Sequence, residues 1–466
     1  MKNIIHRIRL SIALFIALGT IFMLRLAGSG GTSLPGKLAM IISPNILTVL
    51  SAKYRIVMVT GTNGKTTTAR MIEQVLKENR IAHVANKSGA NLLSGLATVL
   101  ISDVGMNARP RSQTALLEVD EAAFRLSSKY MKPAVLVVTN FFRDQLDRFG
   151  ELYSTLNAVR EGISRLPDTT LVLNADDSLC ASLGKDVPNP VIYYGMNELQ
   201  LPDEGASSDN HDASYCMVCK AKYVYRFRTY GHLGHFECPE CGYSRPEALI
   251  QVDKIFSLSG EFSKVLFNTQ SGAFTAQINL PGLYNIYNAL AAVSFAELLG
   301  FSHEKTIHAL SRFESGFGRM ESISLGEKNI QVILIKNPTG FNQVINFLLT
   351  VENPAVISLS INDQLADGTD ISWLWDVHFE ALAEIQNKVT RFFVSGIRAE
   401  DMAVRLKYAG VFTDQITLEK DYGTMLDKAL EMLEAGQTLY ILPTYTAMLD
   451  IRKILKKRYH LKNIWQ

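Results

Sequence analysis

A glycine-containing segment near residue 60 has the composition of a phosphate-binding loop. The apolar run Tyr54–Thr60 leads into Gly61–Thr68, with the sequence Gly-Thr-Asn-Gly-Lys-Thr-Thr-Thr, and apolar residues at helical spacing follow. In such a strand–loop–helix unit the glycines let backbone amides approach a polyphosphate, and the helix amino terminus adds positive potential. Lys65 would contact the outer phosphates, and the Thr66 hydroxyl would ligate Mg²⁺. We predict an ATP site; the alternative is a glycine turn with an incidental lysine. The predicted ATP-binding residues are Thr62, Asn63, Gly64, Lys65, Thr66 and Thr67.

Two pairs of cysteines in the middle of the chain have the spacing of a zinc ribbon. The cysteines are Cys216, Cys219, Cys238 and Cys241. Each C-x-x-C turn can direct two thiolates at one ion, and four thiolates complete a tetrahedral structural Zn²⁺ site. Tyr223–Phe227 and Gly234–Phe236 would form its short strands. Two alternatives are His232 or His235 replacing a cysteine ligand, and a redox-active dithiol.

The composition describes a globular enzyme with more than one domain. At 466 residues, 47% of them hydrophobic and 20% charged, the chain exceeds one ordinary core and lacks the composition of a disordered protein. The net charge of +2 gives no indication of nucleic acid as a partner. Because ATP chemistry implies a reducing cytosol, the cysteines favour metal binding over disulfides, with Cys180 standing outside the two pairs.

The amino-terminal segment Leu10–Leu24 is almost entirely apolar and is bounded by Arg9 and Arg25. As a helix it would be about 22 Å long, shorter than the roughly 30 Å hydrocarbon core of a bilayer. A cleaved signal peptide is rejected because export would separate the phosphate loop from ATP. Three interpretations stay open: a marginal membrane anchor, an interfacial helix, or a helix packed on the enzyme. Ser29–Ser33 has the composition of a linker.

From Tyr54 onward the chain alternates between short apolar runs and helical patterns, which predicts an α/β fold. Three apolar runs end in polar clusters, and ligands of parallel α/β sheets bind beyond the carboxyl ends of strands. These runs are Thr114–Val119, Ala134–Thr139 and Thr170–Leu173. A polar stretch, Asn197–Ser214, interrupts the pattern. After Ser322 a second α/β pattern begins, with predicted strands at Val332–Ile335, Val356–Ser360, Phe392–Ser395 and Leu439–Leu442.

Two further segments contain polar residues suited to a nucleotide. Asn285 and Asn288 are three residues apart, so on a helix they share one face and could bind a base. Asn285 could instead cap the helix. Arg319 follows a glycine in a loop, and its guanidinium suits phosphate or ribose.

Taken in order, these segments resemble the Mur ligase superfamily. The phosphate loop has two residues between its glycines where the general Walker pattern has four, and this form is that of Mur ligases and folylpolyglutamate synthases. Leu173–Asp177, Tyr284–Ala292 and Gly318–Glu321 follow in the superfamily's order. The zinc ribbon and Ala366–Trp373 are similar to the MurT family, whose members are ligase subunits of lipid II isoglutaminyl synthase. The resemblance covers the chain from about Leu34 onward.

The resemblance implies an amidation reaction that uses ATP, Mg²⁺ and Zn²⁺ as cofactors. ATP would phosphorylate the α-carboxylate of the D-glutamate in the lipid II stem peptide. Ammonia from a GatD-like glutaminase, the other subunit of a heterodimer, would then displace the phosphate to give D-isoglutamine. The implied location is the cytoplasm, and contact of the amino-terminal segment with the inner face of the cell membrane is left open.

The resemblance also assigns roles to individual residues. Glu118 would hold Mg²⁺ near the γ-phosphate and act in catalysis with Lys65; its alternative is a surface acid at a strand end. Asp370 matches the acid that the ligase donates to the partner's cysteine–histidine pair; its alternative is a cap for a helix that begins near Ser372. The positions that match nucleotide contacts are Asn285, Asn288 and Arg319.

Three departures separate the chain from amino-acid-adding Mur ligases. Asp144-Gln145-Leu146-Asp147 lacks the histidine metal ligand of many relatives, and no carbamylated lysine can be placed in the helix after Gly150. Lys336–Thr339 stands where those enzymes carry an Asp- and His-bearing loop. The two missing metal-site features suit ammonia as the nucleophile.

The predicted organisation is an apolar segment and linker (1–33), an ATP-binding Mur ligase middle domain (34–321) with a zinc-ribbon insert (about 212–247), and a Rossmann-like α/β domain (322–466). Two other functions are considered. One is a stand-alone Mur ligase that adds an amino acid. The other is a zinc-ribbon NTPase acting on nucleic acid, disfavoured because Lys222–Tyr230 contains few basic residues.

Overall fold

The computed structural model describes residues 2–26, 33–86, 90–143, 151–197, 213–314, 319–351 and 356–459. The helices are α1 (Lys2–Leu26), α2 (Leu34–Ile42), α3 (Ile46–Ser51), α4 (Lys65–Glu78), α5 (Leu93–Val104), α6 (Glu121–Ser127), α7 (Glu151–Ser164), α8 (Ser178–Ser182), α9 (Leu283–Leu298), α10 (His303–Ser311), α11 (Pro338–Thr350), α12 (Glu380–Ile385), α13 (Ala399–Tyr408), α14 (Tyr422–Glu431) and α15 (Tyr445–Tyr459). The strands are β1 (Arg55–Thr60), β2 (His83–Ala85), β3 (Thr114–Glu118), β4 (Val135–Val138), β5 (Thr170–Asn174), β6 (Val191–Met196), β7 (Val224–Arg228), β8 (Gly234–Glu237), β9 (Ile250–Leu258), β10 (Ser263–Thr269), β11 (Gly272–Ile278), β12 (Arg319–Leu325), β13 (Lys328–Ile333), β14 (Val356–Ser360), β15 (Arg391–Ser395), β16 (Ile416–Leu418) and β17 (Thr438–Pro443).

The larger sheet has nine strands in the order β11-β10-β9-β6-β5-β4-β1-β3-β2. Six neighbouring strands, β6-β5-β4-β1-β3-β2, run parallel to one another, and β9 pairs parallel with β6. The strands β9, β10 and β11 pair antiparallel at one edge. Strand β1 lies between β3 and β4, so the loop after β1 opens at the centre of the parallel region, where ligands of α/β sheets bind.

Helices cover both faces of this sheet, because the parallel strands are apolar on both sides. Ile56 and Met58 pack with the cluster that includes residues of α1, α3 and α5, whereas Val57 and Val59 pack with residues of α4 and α9. The helix that begins at the phosphate loop is therefore anchored by its own buried face and by α9.

The smaller sheet has six strands in the order β12-β13-β17-β14-β15-β16. All its neighbours are parallel except β12 and β13, which form an antiparallel pair. Successive residues along its strands again pack on opposite faces of the sheet. One face forms a core with α11, α12 and α13, and the other forms a core with α14 and α15. This is a second α/β unit of the kind predicted for the carboxyl-terminal part of the chain.

The cysteine pairs belong to an insert between β6 and β9. The insert carries the two-stranded antiparallel sheet of β7 and β8, and its own small core includes Tyr223 and Phe236. Since β6 and β9 pair directly with each other, the insert leaves the larger sheet and returns to the adjacent position.

The α/β class and most predicted strands are confirmed, with two corrections. The strand predicted at Val332–Ile335 is Lys328–Ile333, because its pairing with β12 and β17 begins earlier in the chain. The antiparallel strands β10 and β11 are an addition to the predicted parallel pattern. Strand β12 spans position 321, so the domain boundary placed there stays a prediction.

Several expectations fall on residues outside the described ranges. They concern Asp144–Asp147, Gly150 and most of Ser29–Ser33 and Asn197–Ser214. The apolar amino-terminal segment, by contrast, is described from Lys2 to Leu26 as one helix, and this helix packs against α2 and α5.

Candidate active site

The phosphate loop connects β1 to α4 and is held by two other elements. Gly64 has a φ of 81°, and a Cβ atom there would lie 2.1 Å from the side-chain oxygen of Asn288 on α9, so only glycine fits. The amide of Asn63 donates to the side-chain oxygen of Asn140 (2.9 Å), and the Thr139 hydroxyl donates to the carbonyl of Asn63 (2.7 Å). The polar cluster after β4 therefore fixes the shape of the loop.

The ammonium group of Lys65 lies inside the loop. It donates to the carbonyl oxygens of Gly61 and Thr62 and forms an ion pair with Glu121 at 3.3 Å. The side chains of Lys65 and Glu121 are only 12% and 11% exposed, so the pair is largely removed from water. Glu121 follows β3 in a polar cluster noted in the sequence, but nothing in its spacing distinguished it from its neighbours as the partner of Lys65.

Thr66 and Glu118, the two predicted Mg²⁺ ligands, are in direct contact. The Thr66 hydroxyl donates to Glu118 Oε1 at 2.9 Å, and both residues are buried. The backbone of Glu118 is fixed by Asn86, whose side chain accepts from the Glu118 amide and donates to its carbonyl, each at 2.8 Å. A carboxylate and a hydroxyl beside a phosphate loop are suitable oxygen ligands for Mg²⁺.

Asn285 and Asn288 share one face of α9, as predicted, and both are buried. The helix begins at Leu283 with Gly282 at the N-cap position, so Asn285 lies inside its first turn and does not cap it. The side-chain amide of Asn285 donates to the carbonyl of Pro281 (2.7 Å). Asn288 donates to Asn285 (3.1 Å) and accepts from the hydroxyl of Thr68 on α4 (3.2 Å). This amide pair joins α9 to the helix that follows the phosphate loop.

A cleft opens at these residues, between the two α/β units. Thr67, Asn285 and Asn288 line it from the first unit. The second unit contributes residues of β13 and of the start of α11, which are Ile333, Leu334, Thr339, Gly340, Gln343 and Val344. Mixed apolar and amide walls beside a phosphate loop suit a nucleotide.

Asn337 joins the two units at the phosphate loop. Its side chain donates to Asn63 (3.0 Å) and also caps α11 by accepting from the amide of Gly340 (2.8 Å). Lys336–Thr339 was noted in the sequence only for what it lacks, and this contact depends on how the units pack. Arg319 begins β12, and its neighbour Met320 lines the cleft, but the side chain of Arg319 lies outside the described residues.

The four paired cysteines converge at one point. Their sulfur atoms all lie within 4.8 Å of one another, with 3.5 Å between Cys216 and Cys241 and 3.3 Å between Cys219 and Cys238. Four sulfurs bound at about 2.3 Å around tetrahedral zinc are about 3.8 Å apart, so the cluster fits that ion. Burial opposes ionisation of Cys216, but the backbone amides of Cys219 and Val218, together with the neighbouring thiols, outweigh it and lower its pKa.

The two histidines of the insert are occupied elsewhere. His232 Nε2 lies 3.2 Å from a carboxylate oxygen of Asp177, and His235 Nε2 lies 2.8 Å from the carbonyl of Met196. The geometry therefore favours a ligand set of four cysteines, and the alternative with a histidine ligand is not supported.

Asp370 lies at the surface of the smaller unit, far along the chain from the phosphate loop. Its carboxylate accepts from the amide and the hydroxyl of Ser372 at 2.8 and 2.7 Å, at the start of a short 3₁₀ helix, Ser372–Asp376. Asp370 therefore holds the first residue of this helix, as considered from the sequence, although the N-cap position itself is Ile371. Trp375 is exposed in the same surface region, and its ring lies 5.9 Å from that of Tyr408. Leu365, which is close to Asp370 in the chain, is 93% exposed.

Cys180 is fully buried in the middle of α8, and its thiol donates to the carbonyl of Val138 at 3.6 Å. Burial, followed by the nearby carboxylate of Asp177, raises the pKa of this thiol well above its usual value. Cys180 is therefore a structural residue and not a nucleophile.

Two family models match the chain. The Mur ligase middle domain matches residues 59–236, and the MurT ligase C-terminal domain matches residues 334–448. The lipid II isoglutaminyl synthase (glutamine-hydrolyzing) subunit MurT of Streptococcus pneumoniae is 36% identical over 94% of this chain and 95% of its own. The chain belongs to the MurT family. The Staphylococcus aureus subunit of the same name is 33% identical over 93% of this MurT-family chain and 95% of its own.

Solved structures show the same fold at lower identity. A pseudomurein peptide ligase type C from Methanothermus fervidus aligns with a TM-score of 0.64 and 23% identity over 87% of the MurT-family chain and 79% of its own. MurF ligase from Thermotoga maritima in complex with ADP aligns with a TM-score of 0.60 and 16% identity, over 91% of the MurT-family chain and 84% of its own. The predicted Mur ligase fold is confirmed.

Proposed function

We propose that this chain is the ATP-dependent ligase subunit that amidates the α-carboxylate of D-glutamate in the lipid II stem peptide. The observation that carries the proposal is the identity of 36% to a lipid II isoglutaminyl synthase subunit over nearly the whole chain. Amino-acid-adding Mur ligases match at 25–27% identity over only 56–59% of the chain. The stand-alone ligase and the nucleic-acid-dependent NTPase are correspondingly weaker interpretations.

The reaction has two balanced steps. A carboxylate oxygen of the D-glutamate attacks the γ-phosphorus of ATP. The bond between this phosphorus and the bridging oxygen breaks, so that ADP leaves and an acyl phosphate is formed. Ammonia then attacks the acyl carbon, its extra proton is lost, and the carbon–oxygen bond to phosphate breaks. The products are the α-carboxamide, inorganic phosphate and ADP.

The residues of the phosphate loop would stabilise the charge that moves during the first step. Lys65 would contact the outer phosphates, and its pairing with Glu121 and two loop carbonyls holds the ammonium group at the loop. Thr66 and Glu118 would hold Mg²⁺, which neutralises phosphate charge when bound. Asn285 and Asn288 would contact the adenine side and Arg319 the nucleotide.

Replacing Glu118 by Gln should raise the Mg²⁺ concentration needed for half-maximal ATPase activity by about 10-fold or more, because a neutral amide is a weaker ligand of similar shape. The measurement is a Mg²⁺ titration at saturating ATP. Glu73, an acid on the outer side of α4 that pairs with Lys77 at 2.7 Å, provides the matched Glu→Gln control. An unchanged Mg²⁺ requirement for Glu118→Gln would remove it from the metal site.

The nitrogen would come from a separate glutaminase, for which a GatD-like subunit in a heterodimer is the proposed partner. Among the described residues Cys180 is buried and the other cysteines are gathered in one cluster, so none provides a glutaminase nucleophile. Asp370 would complete the partner's active site by orienting its histidine. The exposed Leu365 and Trp375 near Asp370 fit a subunit contact.

The cysteine cluster should hold one Zn²⁺ per chain. Elemental analysis of protein purified without chelators should find stoichiometric zinc, and the double variant Cys216→Ser/Cys238→Ser should lose it, because two sulfurs cannot complete the site. Cys180→Ser is the matched control and should retain the ion. Zinc retained by the double variant, or absent from the unmodified protein, would contradict this assignment.

The Mur ligase relationship and the predicted ATP site support a location in the cytoplasm, where ATP is available. We propose that it works at the inner face of the membrane, since lipid II is a membrane lipid. The test of the overall function compares amidation of lipid II with glutamine and with ammonium, each with and without the glutaminase subunit. Ammonium should support amidation without the glutaminase subunit, whereas glutamine should support it only when that subunit is present. Incorporation of an amino acid in place of ammonia would overturn the proposal.

A further inference from the structure

Helix α1 has two different apolar faces. The inner face is fully buried, with Ala13, Leu14 and Ala17 packed in the same core as residues of α2 and α5. The small alanines let the helix lie close to its neighbours. The contacts are those of a helix that belongs to the folded enzyme.

The opposite face exposes large apolar side chains to the surroundings. They follow a helical spacing over about 27 Å of helix, and Gly19, with no atom near its missing side chain, lies among them. The exposed residues are Ile8, Ile12, Phe15, Ile16, Phe22, Met23 and Leu26. Leu34 and Ile41 on the adjoining α2 are also exposed. A soluble surface does not normally expose such a continuous apolar face.

The charge of α1 is entirely positive. Lys2–Leu26 contains no acidic residue, and Arg7, Arg9 and Arg25 are exposed towards its two ends. An apolar stripe flanked by arginines complements the surface of a bilayer that contains anionic lipids. A protein partner of equal shape would not explain why both ends are basic.

We propose that α1 docks the enzyme on an anionic membrane surface, lying in the interface with its outer face in the lipid and its inner face on the enzyme. The helix is long and apolar enough to span a bilayer, but spanning would require Ala13, Leu14 and Ala17 to leave the core. This inference rests on the proposed function, in which the acceptor is a membrane lipid. Docking would keep the enzyme at the membrane surface where the acceptor's peptide is exposed.

The test is sedimentation of the full-length complex with vesicles. The unmodified complex should bind phosphatidylglycerol-containing vesicles and bind phosphatidylcholine vesicles weakly. Phe15→Ser/Phe22→Ser should weaken binding at least about tenfold, because two large apolar side chains leave the lipid. The matched control Leu249→Ser/Phe256→Ser, which removes two half-exposed apolar side chains elsewhere, should bind normally. Carbonate at high pH should release the bound complex, as for an interfacial helix.

Several outcomes would overturn the docking proposal. Three of them are failure of the unmodified complex to bind vesicles, equal vesicle binding by Phe15→Ser/Phe22→Ser and the unmodified complex, and failure of carbonate to release the bound complex. A fourth such outcome is that the unmodified complex binds no vesicles but self-associates, and that Phe15→Ser/Phe22→Ser abolishes this self-association. Amidation of lipid II in detergent micelles separates the two proposals. Retained micellar activity of the variant with lost vesicle binding supports docking, whereas no micellar amidation by the unmodified complex counts against the proposed function alone.

A second, independent observation concerns the hairpin between β7 and β8. Its tip, Thr229–Leu233, reaches the nucleotide cleft and is bound to the core by buried polar contacts. His232 contacts Asp177 at 3.2 Å, and Thr229 contacts the Tyr287 hydroxyl at 2.9 Å. Tyr287 in turn donates to Asp176 at 2.6 Å. The hairpin is thereby joined to the acidic turn after β5.

Tyr230 occupies the end of this hairpin. Its ring lines the cleft and stacks on Phe142 at 5.9 Å, with 14° between the ring planes. The backbone amide of Phe142 donates to the Thr62 hydroxyl in the phosphate loop at 3.1 Å. Tyr230 therefore lies beside the loop that would bind phosphate. It also lines the same cleft as Asn285 and Asn288, whose amides would bind adenine.

We infer that Tyr230 is a positioning residue of the nucleotide site, with its ring forming part of the wall that holds ATP. Tyr230→Ala should raise the Kd for ATP by about 10-fold or more, because the variant removes the aromatic ring that forms this part of the cleft wall. Tyr230→Phe should bind normally, and Tyr215→Ala, an exposed tyrosine of the same insert, is the matched control. Calorimetric titration with ATP gives the Kd directly, and kinetics should show a raised KM with kcat largely retained. Unchanged ATP affinity in Tyr230→Ala, in protein that keeps its zinc, would overturn the inference.

Discussion

Lys65→Ala should lower kcat/KM for ATP-dependent amidation by at least about 10³-fold, with glutamine or with ammonium. Its ammonium group is the positive charge that the structure places inside the phosphate loop. A charge held in a site with little water stabilises the transferring phosphoryl group more strongly than a charge in solvent. The measurement is steady-state amidation with ATP varied up to saturation.

The matched control is Lys77→Ala, on the same helix. Lys77 is 54% exposed and pairs with Glu73 away from the loop, so this variant should retain activity. Because Lys65→Ala leaves the buried Glu121 without its cation, thermal unfolding should be measured for both variants, and Lys65→Ala/Glu121→Gln should unfold like the unmodified protein but stay inactive. Unchanged turnover of Lys65→Ala at saturating ATP would contradict the assignment.

Asp370→Asn should lower glutamine-dependent amidation by about 10⁴-fold in the assembled complex and leave ammonium-dependent amidation intact. The charged carboxylate would orient and stabilise the partner's histidine, and an amide would not. The ATP site lies on other elements and is unaffected. The split between the two nitrogen sources is therefore the signature of an acid shared across a subunit interface.

The same variant separates this role from the cap on the short helix. Asn caps helices about as well as Asp, so Asp370→Asn should keep the hydrogen bond from the Ser372 amide. Ser372→Ala removes the hydroxyl contact to Asp370 while leaving the acid, and should change glutamine-dependent activity little. If the glutamine and ammonium activities of Asp370→Asn fall together, or neither falls, Asp370 is not the shared acid.

The sequence predicted best where chemistry and local pattern coincide. The phosphate loop follows a β-branched apolar run and opens a helix, so Thr66 and its loop could be placed without tertiary information. The spacing of the cysteine pairs fixed which sulfurs would meet, because each pair closes a local turn. The predicted α/β units followed from apolar runs separated by helical patterns.

The remaining features depend on packing between distant segments. Glu121 pairs with Lys65 because α6 follows a strand adjacent to β1, and Asn337 reaches Asn63 only after the two units come together. Nothing in the sequence distinguishes Tyr230 from the other aromatic residues of the insert, yet the hairpin carries it to the cleft. Helix α1 shows the same limit. Its apolar sequence does not reveal which face the enzyme covers.

The most direct measurement is mass spectrometry of lipid II after incubation with the ligase, its glutaminase, ATP, Mg²⁺ and glutamine that carries an isotopic label in its side-chain amide. The label should appear in the α-carboxamide of the D-glutamate, with one ADP formed for each amide, and should be absent without ATP. A label on any other group, an added amino acid, or amidation that continues without ATP would contradict the proposed reaction.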